Sequence, residues 1–101
     1  MGAVQLTLIV LRVSDLERSR AFYAELGFDL VLEQHGDGPV HYACTLGELV
    51  LELYPHAQPS NVRLGLRVSM ETVTRVQAQL IREAVYVVRD PDGNAIELTT
   101  G

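Results

Sequence analysis

Glu52, Arg63 and Glu97, with His41, Tyr54, Tyr86, Arg12 and Arg67, are the residues of this chain whose types invite chemistry. A planar guanidinium bridges two carboxylates through charge-assisted hydrogen bonds, so Arg63 set between Glu52 and Glu97 makes a compensated polar cluster. A histidine with two carboxylates is also a donor set for a divalent cation. A neighbouring arginine opposes that reading, because it is always cationic and offers no lone pair. Three uses of the cluster follow: internal charge compensation, recognition of a small ligand, or a metal centre. The choice depends first on whether these side chains share a face.

Strand side chains alternate between faces, so the elements that carry these residues assign them a side. Over 49–54, Leu49, Leu51 and Leu53 oppose Val50, Glu52 and Tyr54; over 63–68, Leu64, Leu66 and Val68 oppose Arg63, Gly65 and Arg67. Ile96 and Leu98 oppose Ala95, Glu97 and Thr99, and in the first strand Ile9, Leu11 and Val13 oppose Leu8, Val10 and Arg12. Pairing across a tight turn at Gly47-Glu48 sets Glu52 opposite Ala43 and Tyr54 opposite His41. The same argument at Asp90–Gly93 sets Glu97 opposite Tyr86. One face is therefore aliphatic and packs on helices. The other gathers Arg12, His41, Glu52, Tyr54, Arg63, Arg67, Tyr86 and Glu97.

The order of elements is set by an internal repeat. Leu-Arg-Val-Ser occurs at 11–14 and again at 66–69, and Leu51-Glu52-Leu53 is echoed by Ile96-Glu97-Leu98. The first offset is 55 residues and the second 45, so the chain reads as two copies of one unit, the second shorter by about ten. Residues 1–54 hold a strand over 5–13, a helix opened by Ser14 with Glu17, and strands over Phe28–Gln34, Val40–Leu46 and Leu49–Tyr54. A proline-containing linker, 55–61, follows. Residues 62–101 hold a strand over Val62–Val68 and a helix capped by Ser69, with Val73, Val76, Leu80 and Ala84 on one face. Two strands, Val85–Arg89 and Asn94–Thr99, complete this half. The expectation is a single α+β domain, βαβββ followed by a shortened βαββ, with helices outside a mixed curved sheet. A lost strand leaves Val85–Val88 as an apolar edge. No lysine is present to guard that edge, so a homodimer formed there is expected.

Composition narrows the partners. Eight basic against thirteen acidic residues give −5, which supplies no phosphate-neutralising stripe and disfavours nucleic acid. The single Cys44 lies among apolar neighbours and reads as a small buried hydrophobe. No apolar run approaches the roughly 20 residues that span a bilayer and no charged-then-apolar leader opens the chain, so no membrane partner and a cytoplasmic location are expected.

The strand-to-helix stretch Leu11-Arg12-Val13-Ser14-Asp15-Leu16-Glu17-Arg18-Ser19, the following Phe22-Tyr23 and Leu26-Gly27-Phe28, and the C-terminal Asp90-Pro91-Asp92-Gly93-Asn94-Ala95-Ile96-Glu97-Leu98 resemble the vicinal oxygen chelate superfamily. That superfamily includes glyoxalase I, extradiol dioxygenases, and bleomycin- and fosfomycin-resistance proteins. The resemblance implies paired βαβββ units forming a cup whose interior is the polar face. It also implies four metal-ligand positions, here Leu8, Glu52, Arg63 and Glu97. Leu8 and Arg63 are not ligands, so neither a metal nor another cofactor is expected at those positions. The function implied is that of the drug-sequestering members, a metal-independent binder of a small organic molecule. Arg12, His41, Glu52, Tyr54, Arg63, Arg67, Tyr86 and Glu97 would form the binding surface. The alternatives are a lyase or dioxygenase with a degenerate metal site, and a ligand-free structural subunit.

Overall fold

Ten elements form along the chain, and a computed structural model describes them over residues 2–101. The first unit comprises β1 (Leu8–Val13), α1 (Leu16–Glu25), β2 (Val31–Glu33), β3 (His41–Leu46) and β4 (Leu49–Pro55). The second comprises β5 (Arg63–Arg67), α2 (Met70–Arg75), β6 (Gln79–Arg82), β7 (Val85–Arg89) and β8 (Ala95–Thr99). Each unit makes a four-stranded mixed sheet, in the orders β1-β4-β3-β2 and β5-β8-β7-β6. In both, the first and last strands of the unit pair in parallel and the rest are antiparallel. The two units are thus the same βαβββ design, as the repeat implies. The sheets do not close into a barrel.

The aliphatic faces meet in one core. Leu11, Val13, Leu51 and Leu53 of the first sheet, and Ile96 and Leu98 of the second, are buried together with Tyr23, Leu26 and Phe28 from α1 and its exit, and with Val73 from α2. The helices pack on these faces and leave the polar faces free. Cys44 is buried in the same core, and burial, followed by the Asp29 carboxylate, pushes its thiol above the ordinary value. That is the chemistry of a packed hydrophobe rather than of a nucleophile.

The second unit is shorter, but the shortening does not fall on a strand. The expected helix over Val73–Ala84 ends at Arg75, and Gln79–Arg82 forms β6 against β7. The unit is βαβββ, not βαββ. Gln77 takes a left-handed conformation (φ 55°) and Ala78 N–H bonds back to Val73 O, which closes the helix without a glycine. The periodicity was misleading because Leu80, assigned to the helix face, is a strand residue 58% exposed. A consequence is that Val85–Val88 is no edge: β7 lies between β6 and β8, and the edge strand is the irregular β6. The expected dimer interface at 85–88 is therefore not available as an open strand.

The first helix is capped by Asp15, whose carboxylate accepts the Arg18 N–H at 3.0 Å, and not by Ser14. Ser14 is drawn away to the second unit, where its N–H and hydroxyl both donate to Asp92. A buried contact lies beside it: Tyr23 Oη–H donates to Asp90 Oδ2 at 2.7 Å. Burial first, and then the Asp90 carboxylate, hold this phenol far above its ordinary pKa, so it remains a donor. Tyr23→Phe removes that donor from a buried carboxylate and is expected to destabilise the chain by about 1.5–3 kcal/mol in urea melts. A loss below about 0.5 kcal/mol contradicts this role.

Candidate functional site

The outward face of the first sheet is built by the register of its four strands. The Gly47-Glu48 turn, with Gly47 at φ 62°, closes β3 on β4 so that Ala43 pairs with Glu52, as expected. One step on, His41 and Tyr54 face each other, with their rings stacked at 4.2 Å and 10° apart. Parallel pairing places Val10 beside Glu52 and Arg12 beside Tyr54. Antiparallel pairing of β2 with β3 brings Glu33 opposite His41. Arg12, His41, Glu52 and Tyr54 are thereby gathered on one surface, as the alternation implies.

His41 is the buried centre of that surface, with its side chain 1% exposed. Its Nδ1 lies 3.1 Å from the Pro39 carbonyl oxygen, which can only accept, so Nδ1 carries a hydrogen. Its Nε2 lies 3.3 Å from Glu33 Oε1, 3.4 Å from Tyr54 Oη and 3.7 Å from Glu52 Oε2. Burial, then Glu52 and Glu33, raise the Tyr54 phenol above its ordinary pKa and keep its hydrogen in place. His35 closes the far side, its ring 5.1 Å from that of His41. Glu33 and His35 were not recognised in the sequence as partners of His41. Only the register of the three-residue β2 on β3 brings them there.

Two hollows flank this centre. One, of about 330 Å³, is lined by Val10, Arg12, Pro39, Glu52, Tyr54, Pro55 and His56. The other, also about 330 Å³, is lined by Asp29, Val31, Glu33, Ala43, Cys44, Thr45 and Val50. Each is at the small end of the range for organic-ligand sites.

The second unit's face is different. Arg63 Nη2 donates to Glu97 Oε2 at 2.6 Å, and Arg82 Nη2 lies 3.4 Å from Glu97 Oε1. Glu97 is therefore clasped by two arginines, whereas the bridge from Arg63 to Glu52 is not among the ion pairs of the described residues. Arg67 donates to the Gly101 carbonyl at 2.9 Å. Tyr86 leaves the polar face: it pairs with Leu98 and packs against the core, and Val87 is the residue opposite Glu97. The turn is longer by one residue than expected, because Arg89 pairs with Ala95 and Asp90 N–H bonds to Asn94 O. A one-residue slip exchanges the two faces of a strand.

At the four positions that the resemblance assigns to metal ligands, the residues present make a poor ligand set. Leu8 has no donor atom, Arg63 brings a positive charge, and that charge already holds Glu97 at 2.6 Å.

Fold and site together define an α+β protein of paired βαβββ units with an outward polar surface. The family model for the Glyoxalase/Bleomycin resistance protein/Dioxygenase superfamily matches residues 5–80, and the chain belongs to that superfamily. Among solved structures it is similar to TnmS3, an antibiotic-binding protein from a Streptomyces species, at 26% identity and TM-score 0.74, over 99% of this chain and 98% of that one. A virulence protein from Salmonella typhimurium shares the fold at 21% identity and TM-score 0.72, over 99% and 98% of the two chains. A lactoylglutathione lyase from Agrobacterium tumefaciens does so at 17% and 0.69, over 100% and 96%. No curated protein matches the chain.

The Arg63–Glu97 contact carries a pH prediction. The hydrogen bond from Arg63, with the Arg63 and Arg82 charges, outweighs desolvation and lowers the Glu97 carboxyl below its ordinary value. Because the folded value is depressed, the stabilisation is full above the ordinary carboxylate range and drains away as pH falls through the folded value. NMR titration of the Glu97 carboxyl is expected to show a low midpoint that rises in Arg63→Leu. An unchanged midpoint in that variant contradicts the clasp.

Proposed function

We propose that this protein binds a small organic molecule on the outward face of its first sheet, without a metal at the four family positions. The observation that carries this reading is the hollow over Val10, Arg12, Glu52 and Tyr54. It combines apolar contact, an aromatic ring and two opposite charges in one concave surface. Tyr54, held by the His41 stack, offers a fixed ring for a planar ligand, while Glu52 and Arg12 orient polar or cationic groups on it. The likeness to the antibiotic-binding TnmS3 supports a drug-like ligand, and the excess of acidic residues suits a cationic one. The lyase reading draws only on shared fold, and Leu8 and Arg63 weigh against it. Arg63, Arg67 and Glu97 would contribute only if the second unit's face is brought over the first.

A second copy of the chain is the means we propose for that. Leu8 (50% exposed), Val10 (42%), Val31 (61%) and Leu32 (56%) leave apolar surface open on the first unit. The Cα radius of gyration is 14.3 Å. A compact chain of this length has about 12.7 Å. The units spread rather than wrap around a cavity, which is consistent with a cup completed by association. Sedimentation velocity at tens of micromolar is expected to show a two-chain species; a single-chain species contradicts the dimer.

The binding surface is tested by titrating bleomycin and a panel of aromatic cations while following tyrosine fluorescence. Tyr54→Ala is expected to weaken the tightest binder by roughly tenfold, equivalent to about 1.4 kcal/mol. Unchanged affinity in that variant, or no binder in the panel, contradicts the proposal.

A further inference from the structure

We infer that Glu33, His35, His41 and Glu52 form a site for one divalent first-row cation, zinc foremost, on the outward face of the first unit. Each contributes one ligand atom, and these atoms all lie within 4.8 Å of one another. His41 Nε2 is 3.3 Å from Glu33 Oε1 and 3.7 Å from Glu52 Oε2, and His35 Nε2 is 3.6 Å from the same Glu33 oxygen. Zinc bonds to imidazole and carboxylate are about 2.0–2.1 Å, which sets tetrahedral ligands about 3.3 Å apart. The three pairs just given lie close to that spacing, and the widest pair, within 4.8 Å, closes further when the exposed His35 turns inward.

The orientation of His41 makes this more than a meeting of acidic groups. Its Nδ1–H is spent on the Pro39 carbonyl at 3.1 Å, which fixes the tautomer and leaves the Nε2 lone pair aimed into the cluster. That lone pair, on a ring 1% exposed, faces oxygens of Glu33 and Glu52 that can only accept. The Tyr54 hydroxyl, a donor, lies 3.4 Å from it. A cation held between these atoms would offset the two carboxylate charges that converge on Nε2. Two imidazoles favour zinc over calcium or magnesium, which take oxygen ligands, and the two carboxylates neutralise its charge.

The set is distinct from the family's metal positions. It lies wholly within the first unit, on β2, the turn after it, β3 and β4, and shares only Glu52 with the positions Leu8, Glu52, Arg63 and Glu97. It does not rest on the organic-ligand reading, which stands or falls with Tyr54 and the neighbouring hollow.

The test is zinc binding by the full chain, free of any added histidines. Chelator-stripped protein is equilibrated with zinc chloride, the bound metal is counted by elemental analysis, and affinity is measured by calorimetry. One zinc per chain is expected. His35→Ala and Glu33→Gln alter an exposed and a half-exposed side chain outside the core, and each is expected to lower affinity by at least about tenfold. Glu97→Gln is expected to leave it unchanged. No bound zinc would overturn the inference. So would zinc binding that survives both His35→Ala and Glu33→Gln, or that is lost in Glu97→Gln.

Discussion

The carboxylate of Asp90 holds the two units together, and the rest of the architecture depends on it. It is buried and accepts four hydrogen bonds: from Asp92 N–H at 3.0 Å, Asn94 N–H at 2.8 Å, Asn94 Nδ2 at 3.0 Å and Tyr23 Oη at 2.7 Å. Asn94 in turn accepts the Val62 N–H at 2.7 Å, at the entrance to β5. A carboxylate taken out of water without such partners costs several kcal/mol, so the arrangement is close to all-or-none. It fixes α1, the last hairpin and the first strand of the second unit in one geometry. The Asp90–Asn94 stretch is therefore a structural clasp.

With the aliphatic faces committed to that shared core, the opposite faces are left for function, and the two units use them differently. Glu52 and Glu97 occupy equivalent places on the last strand of each unit. Glu97 is closed off by Arg63 and Arg82. Among the described residues Glu52 makes no ion pair with an arginine, and it turns toward His41, at the margin of the hollow formed with Val10 and Tyr54. Duplication supplied two similar surfaces. Because Arg63 and Arg82 close off Glu97, the first is the one with open, oriented polar groups.

Much of this was legible in the sequence because it followed from short-range rules. The repeat gave the paired units, alternation separated the faces, and the two-residue turn at Gly47-Glu48 set His41 against Tyr54. What failed involved counts that local pattern does not specify. A five-residue turn in place of four moved Tyr86 from the polar face to the core. A helix stopped by a left-handed Gln77 released Gln79–Arg82 to become a strand, so the second unit lost helix rather than sheet. Glu33 and His35 escaped notice because β2 has only three residues and its register is set by tertiary pairing. Ser14 was a sound cap by type, but Asp92 outcompeted the helix for it.

The central claim is that the first unit's outward face is where this protein meets its ligand. Amide correlation NMR of the full chain, recorded as a binding aromatic cation is added, tests it most directly. The account predicts shifts centred on Val10, Arg12, Glu52, Tyr54 and His56. Shifts centred on Arg63, Arg67 and Glu97, with the first unit silent, would contradict it.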